Sequence, residues 1–148
     1  MYPFRTPDFE REGVYIMAVF QTLTEAREFF RKDIFAMSNS MSLDALPEGS
    51  SVCSMQITER HLNAEGGLMG GAILALADFT FAAASNNVHR PTVAQQVSLN
   101  FLNASKGTRL ISVATCLKDG RTSCVYVISI KDDLGKDIAQ ATFTGFKR

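Results

Sequence analysis

Asn63, Gly70 and Asp78 are the residues whose types and spacing could act together on a carbonyl group. All three lie in one stretch, His61 to Asn86. Two glycine pairs, Gly66-Gly67 and Gly70-Gly71, precede an almost wholly apolar run from Ala72 to Ala84, in which Asp78 is the only charge. A carboxylate in an apolar helix is costly to desolvate, so it should be paired, neutralised or used. Gly70 stands where that helix begins. First-turn N–H groups have no partner within the helix, and the dipole makes that end positive. With no Cβ in the way, a ligand can approach the backbone closely. An N–H at Gly70 would therefore polarise a carbonyl and stabilise an oxyanion. Asn63 would position the carbonyl or a water, and Asp78 would serve as general base or as nucleophile.

Spacing then sets a condition. Eight residues of helix put Asp78 about 12 Å beyond Gly70, whereas reacting groups must come within about 3–3.5 Å. If both residues serve one substrate, they come from different subunits, with two such helices antiparallel about a two-fold axis. Catalysis thus predicts an obligate homodimer with its sites at the subunit interface. The competing structural reading is that glycine pairs let helices pack closely and that a lone Asp bonds to nearby backbone.

The elements that must hold this stretch are legible in order. Met1 to Phe20 carries Pro3 and Pro7 and reads as an extension over 1–21, with a single domain over 22–148. Thr22 to Glu25 resembles a capping box, and a helix should run to about Met37 with Ala26, Phe29, Phe30, Ile34 and Met37 on one face. Asn39 to Gly49 reads as a loop around Pro47 and Gly49. Val52 to Arg60 alternates as a half-buried strand, with Cys53, Met55 and Ile57 inward. A helix over Gly71–Ser85 follows. Four strands come next, as an antiparallel meander: Thr92–Leu102, interrupted at Gln95, then Arg109–Leu117, Thr122–Lys131 and Ile138–Phe146. Asp119-Gly120 predicts a type I′ hairpin turn. The fold class is α+β: a five-stranded antiparallel sheet around one long helix, with an N-terminal helix outside. Phe79, Phe81 and Phe101 are expected in the core.

Composition narrows the function classes. A chain of 148 residues buries about 68–70% of its unfolded surface, enough for a core without staples. Lys plus Arg equals Asp plus Glu at 15 each, so no basic field invites nucleic acid. Neutrality together with 46% hydrophobic content suggests surface buried between subunits. The Val14–Phe20 run is too short for a secretory signal, and the glycines and Asp78 argue against a membrane span. Cys53, Cys116 and Cys124 have no metal-type spacing, and neither do His61 and His89, so reduced buried thiols and no metal are expected. His61 would cap the loop before the helix.

Against this reading, the stretch resembles the signature of hotdog-fold acyl-CoA thioesterases of the phenylacetate-degradation type. That group shows His-x-Asn-x-x-Gly-x-x-His-Gly-Gly, then an Asp or Glu about seven residues on. This chain reads His61-Leu-Asn63-Ala-Glu-Gly66-Gly-Leu-Met69-Gly70-Gly71, then Leu-Ala-Asp78. The resemblance spans roughly Val52 to Phe146, including Leu117 to Arg121. It implies a hotdog fold, Asp78 as catalytic carboxylate, the Gly70 N–H as oxyanion donor and Asn63 on the carbonyl or water. His61, Met69, Gly71 and Ala94 would contact substrate. One residue departs: the group's second His is Met69 here, which donates no hydrogen bond but can line an apolar acyl pocket.

By the same resemblance, Asn103, Ser105, Lys118, Gly120, Arg121 and Thr122 would border a coenzyme A channel, its Lys and Arg suiting phosphates. Charges at hairpin turns are otherwise simply solvated. The expected function is hydrolysis of a small aromatic or short- to medium-chain acyl-CoA, without cofactor, in the cytoplasm, by a dimer or a dimer of dimers. A non-catalytic acyl-CoA binding protein on the same scaffold is the alternative.

Overall fold

The computed structural model describes residues 18–148. Residues 1–17, and with them most of the expected extension, lie outside the described residues. Two short helices, α1 (Leu23–Phe30) and α2 (Ile34–Ser38), precede strands β1 (Met41–Ala45) and β2 (Ser50–Gln56). A 3-10 turn at Glu59–His61 leads to the long helix α3 (Gly70–Val88). Strands β3 (Thr92–Phe101), β4 (Arg109–Asp119), β5 (Ser123–Asp132) and β6 (Asp137–Lys147) follow.

The strands form one antiparallel sheet of six, in the order β1-β2-β4-β5-β6-β3. The sixth strand is β1, in the segment expected to be a loop. Met41 and Leu43 point inward and pair with Met55 and Cys53. Two alternating apolar residues are too short a signal to stand out beside a Pro and a Gly. The meander is also partial. β4, β5 and β6 follow one another, but β3 pairs with β6 and forms the far edge. Its bulge lies between Ala94 and Gln96, at the expected interruption.

The expected single helix over 22–37 is two. Thr22 caps α1, its hydroxyl accepting from the Glu25 N–H at 3.1 Å. The Glu25 carboxylate reaches the Gln21 N–H at 2.9 Å, one residue before the expected capping-box partner. Asp33 then starts α2 by accepting from the Ala36 N–H at 2.9 Å. That second start rotates the face. Ala36 is buried, while Ile34 and Met37, expected inward, are exposed. The hairpin at Asp119-Gly120 is not type I′, because neither residue has positive φ. Gly120 is required there because a Cβ would lie 2.9 Å from the Ser123 carbonyl oxygen.

The core lies between α3 and the concave face of the sheet. Phe81 stacks on Phe143 with centroids 5.0 Å apart and meets Tyr126 edge-on at 5.6 Å. Phe79 packs on the other side, edge-on to Phe30 of α1 at 5.7 Å. Thr80, fully buried, donates to the Leu76 carbonyl at 2.7 Å, and the Ser51 hydroxyl donates to the Thr80 carbonyl at 2.7 Å. The Ser51 bond, together with the Ser112 hydroxyl 2.8 Å from that of Thr80, ties this face of α3 to β2 and β4.

At the end of the sheet near Phe101, buried Asp132 ties two turns together. It accepts from the Ser105 hydroxyl at 3.0 Å and from the N–H groups of Leu134 and Lys136 at 3.1 and 2.9 Å. Burial alone would raise its pKa, but the bonds, led by the Lys136 N–H, hold it below the usual carboxylate value. Its stabilising effect is therefore complete above the ordinary aspartate range and is lost as pH falls through the lowered value. Asp132→Ala orphans those donors and should cost about 2–4 kcal/mol. Urea unfolding checks this, with a change under about 1 kcal/mol counting against the role.

Candidate active site

The loop before α3 closes on itself through Asn63. The Asn63 N–H donates to the Gly67 carbonyl at 2.7 Å, and its Oδ1 accepts from the N–H groups of Glu65 and Gly67 at 3.0 and 3.1 Å. Gly66 takes φ +79°, a conformation that favours glycine. With Oδ1 committed to the loop, Nδ2 is the polar atom that Asn63 has left to offer.

His61 is buried, and both its ring nitrogens are committed. Nδ1 accepts from the Thr58 N–H at 3.0 Å, which places the ring proton on Nε2, 3.1 Å from the Asn39 carbonyl oxygen. The His61 carbonyl accepts from the Met69 N–H at 2.8 Å. The residue thus joins the end of α2 to the start of α3. That is the expected capping role; the expected substrate contact is not available to an enclosed ring with no free nitrogen.

Met69 stands at the N-cap of α3, and its carbonyl accepts from the Ala72 N–H at 3.0 Å. The N–H groups of Gly70 and Gly71 have no acceptor among the described residues. Two free donors therefore stand at the positive end of the long helix.

Asp78 lies eight residues further along the same regular helix, about 12 Å away. Its side chain is exposed and has no hydrogen-bond or ion-pair partner among the described residues. Packed protein beside it removes water and raises its pKa, and the like charge of Asp33 raises it further. Around Asp78, Gly71 and Leu74 are exposed and Ala75 and Ala82 half-buried. Their spacing makes one stripe of mostly small residues along α3.

Beside this stripe runs β3, exposed along almost its whole length on both faces, Ala94 included. Val97, Leu99 and Phe101 pair with the buried residues Phe143, Ala141 and Ala139, so they share the face toward α3. Phe101, expected in the core, is 60% exposed. Alternation shows which face a residue takes, but not whether anything covers that face.

The six residues expected along one channel fall at opposite ends of the sheet. Asn103 donates to the Asp137 carbonyl at 2.8 Å and Ser105 bonds to Asp132 at 3.0 Å, both near the Phe101 end of β3. Lys118, Gly120, Arg121 and Thr122 lie at the Thr92 end, where the Lys147 N–H donates to the Thr122 carbonyl at 2.9 Å. Nine residues of strand separate the two ends, about 30 Å. One protomer therefore does not bring both groups to one ligand. Lys147 pairs with Asp119 and donates to the Gly120 carbonyl, leaving Lys118 and Arg121 exposed and without an acidic partner among the described residues.

Two contributors escape a reading by spacing. Asp33 has a visible local role as a helix cap; its charge reaches Asp78 only through the fold. Phe101 looks like any inward strand residue. The cysteine expectation is simpler: burial pushes the Cys53 thiol up to about 12 and raises those of Cys116 and Cys124.

Comparison with known proteins adds to the geometry. A family model described as the thioesterase superfamily matches residues 65–139. Acyl-coenzyme A thioesterase PaaI of Escherichia coli is 29% identical over 115 residues, 77% of this chain and 82% of that protein. The solved structure of the E. coli PaaI protein from the phenylacetic acid degradation operon superposes with a TM-score of 0.79, covering 83% of this chain and 90% of that one at 26% identity. Human acyl-coenzyme A thioesterase 13 is 28% identical over 130 residues, 85% of this chain and 89% of that protein. The structure of smu.793 from Streptococcus mutans, solved bound to acetyl-CoA, superposes with a TM-score of 0.68, covering 72% of this chain and 86% of that one at 28% identity.

Proposed function

The chain belongs to the thioesterase superfamily and has its hotdog fold, and on that premise we propose that it hydrolyses an acyl-coenzyme A thioester to a carboxylic acid and free coenzyme A. The observation that carries this reading is the pairing of functions on α3. Two N–H groups without an acceptor among the described residues stand at its start, and a carboxylate without a partner among them, its pKa raised, stands two turns later.

The acyl carbonyl oxygen accepts from the N–H groups at the helix start, with Asn63 Nδ2 as a further donor. Asp78 removes a proton from water as the water oxygen attacks the acyl carbon. The tetrahedral oxyanion forms against the free donors, which favour it over the neutral carbonyl. The C–S bond then breaks, the sulfur leaves with the bonding pair, and a proton returns to it as coenzyme A thiol. Direct attack by Asp78 would pass instead through an acyl anhydride, which water opens to the same products.

With about 12 Å between them, the reading takes the donors and Asp78 of one site from different subunits. The exposed edge supports this arrangement. A ten-residue strand with open backbone groups is an aggregation liability unless it pairs, and two copies of β3 about a two-fold would pair while the stripes on α3 meet. The same operation brings the Asn103–Ser105 end of one subunit beside the Lys118–Thr122 end of the other, where Lys118 and Arg121 suit the coenzyme A phosphates. Two such dimers could assemble further. No described helix is long and apolar enough to cross a membrane, and the reading places the enzyme with its substrate in the cytoplasm.

The test is thiol release from a panel of aromatic and short- to medium-chain acyl-CoAs across a pH series. Asp78 must be ionised to work as a base, so kcat/KM should rise with pH, with a midpoint above the ordinary aspartate value of 3.8. Met69 favours the second reading, a non-catalytic acyl-CoA binder, because its side chain donates no hydrogen bond. Binding of acyl-CoA without thiol release from any ester would select that reading.

A further inference from the structure

We infer that Phe101 is a specificity-determining residue of the half-site at Gly70, selecting acyl groups whose carbon next to the carbonyl bears no polar substituent. This rests on the hydrolase reading above. Phe101 ends β3, and its ladder partner Ala139 is buried, so its ring lies on the α3 side of the sheet. There it covers the start of α3. A Cβ built on Gly70 would lie 2.8, 3.3 and 3.5 Å from three ring carbons. The bare Cα of Gly70 is what lets the ring sit so close, a need separate from any freedom of the backbone.

Met69 flanks the other glycine. Its Cγ is 3.9 Å from where a Gly71 Cβ would be, and apart from the adjoining residues and the helix's own backbone nothing else comes within 4 Å of that point. The two residues with free N–H groups are thus walled by a phenyl ring and a thioether. Both walls face open space, at 60% and 54% exposure. They are exposed apolar surface positioned at the reacting carbonyl, and their first contact with a bound acyl group is beside that carbonyl.

The chemistry of the walls sets the selection. Gly70, Gly71 and Asn63 Nδ2 offer only donors, and the walls offer no hydrogen bond to a hydroxyl. A hydroxyl on the α-carbon gives up water against the ring, and the one acceptor of the site, Asp78, is engaged by the attacking water, so the uncompensated loss falls on that substrate. A plain methylene or a benzylic carbon loses nothing and gains contact. Apolar pockets reject an added hydroxyl by up to about a hundredfold.

The experiment compares kcat/KM for hexanoyl-CoA and its α-hydroxy analogue in the wild type, Phe101→Ala and Phe101→Leu. The wild type should favour hexanoyl-CoA by about tenfold or more. Phe101→Ala should bring the ratio within about threefold, while Phe101→Leu, which keeps an apolar wall, should retain most of it. The exposed ring makes both variants tolerable to the fold, and gel filtration checks the dimer. A selectivity ratio does not move with a merely structural loss, which lowers both substrates alike. An unchanged ratio in Phe101→Ala overturns the assignment and leaves the hydrolase reading standing. Failure of the wild type to release thiol from either ester overturns both.

Discussion

Asp78→Asn should lower turnover by about a thousandfold, the middle of the range for loss of a general base, while leaving the protein folded and no less stable. Both halves follow from the same facts. Asp78 is exposed and bonds to nothing among the described residues, so an isosteric amide removes no contact. Its carboxylate is held against desolvation and the nearby charge of Asp33, both of which disfavour the ionised form. Neutralising it relieves that cost. The melting temperature should match or exceed that of the wild type, the pattern of a group kept for activity at the expense of stability. Wild-type-like turnover in Asp78→Asn would sink the mechanism. A clear drop in melting temperature would mean that Asp78 has a structural partner, which the fold does not show.

Much of this site was legible because it sits in one continuous helix. The Gly70–Asp78 spacing is a property of any regular α-helix, so the expectation of two subunits followed from counting residues. Strands β4, β5 and β6 were legible for a similar reason: each is long, alternates cleanly and ends at a turn. What escaped depends on contacts between distant segments. Asp33 starts a second helix where apolar spacing alone runs on to Met37. The placement of β3 beside β6, not β4, follows from where the chain leaves α3. The inward face of β3 lacks a cover among the described residues, so Phe101 looks like core in sequence and is exposed in structure. The arrangement of the expected coenzyme A residues was not legible for a different reason. Each is plausible alone, and only the sheet shows them about 30 Å apart.

That distance and the separation of Gly70 from Asp78 are two forms of one requirement, and subunit complementation tests it directly. Gly70→Pro is the partner variant for Asp78→Asn. Gly70 is the first residue of α3, where proline fits and where the missing N–H forms no helical bond. Met69 before it already has the extended backbone, φ −67° and ψ 130°, that proline demands of its predecessor. The proline Cβ meets the Phe101 ring, which is exposed and can turn aside. The change thus removes one oxyanion donor and leaves the helix standing, and should cost about a hundred- to a thousandfold in kcat. Each variant alone is then nearly inactive. When the two are co-expressed in equal amounts, half of the dimers pair one variant with the other. In such a dimer one site receives both defects, and the other receives an intact Gly70 from one subunit and an intact Asp78 from its partner. One working site in two, in half of the dimers, restores about one quarter of wild-type activity if the half-sites lie on different subunits. If a single protomer held the whole site, every site in every mixture would carry a defect and activity would stay at the level of the variants alone. The difference is more than tenfold in a mixture containing no wild-type protein, which makes complementation a direct test of whether two subunits bridge the ~12 Å between Gly70 and Asp78.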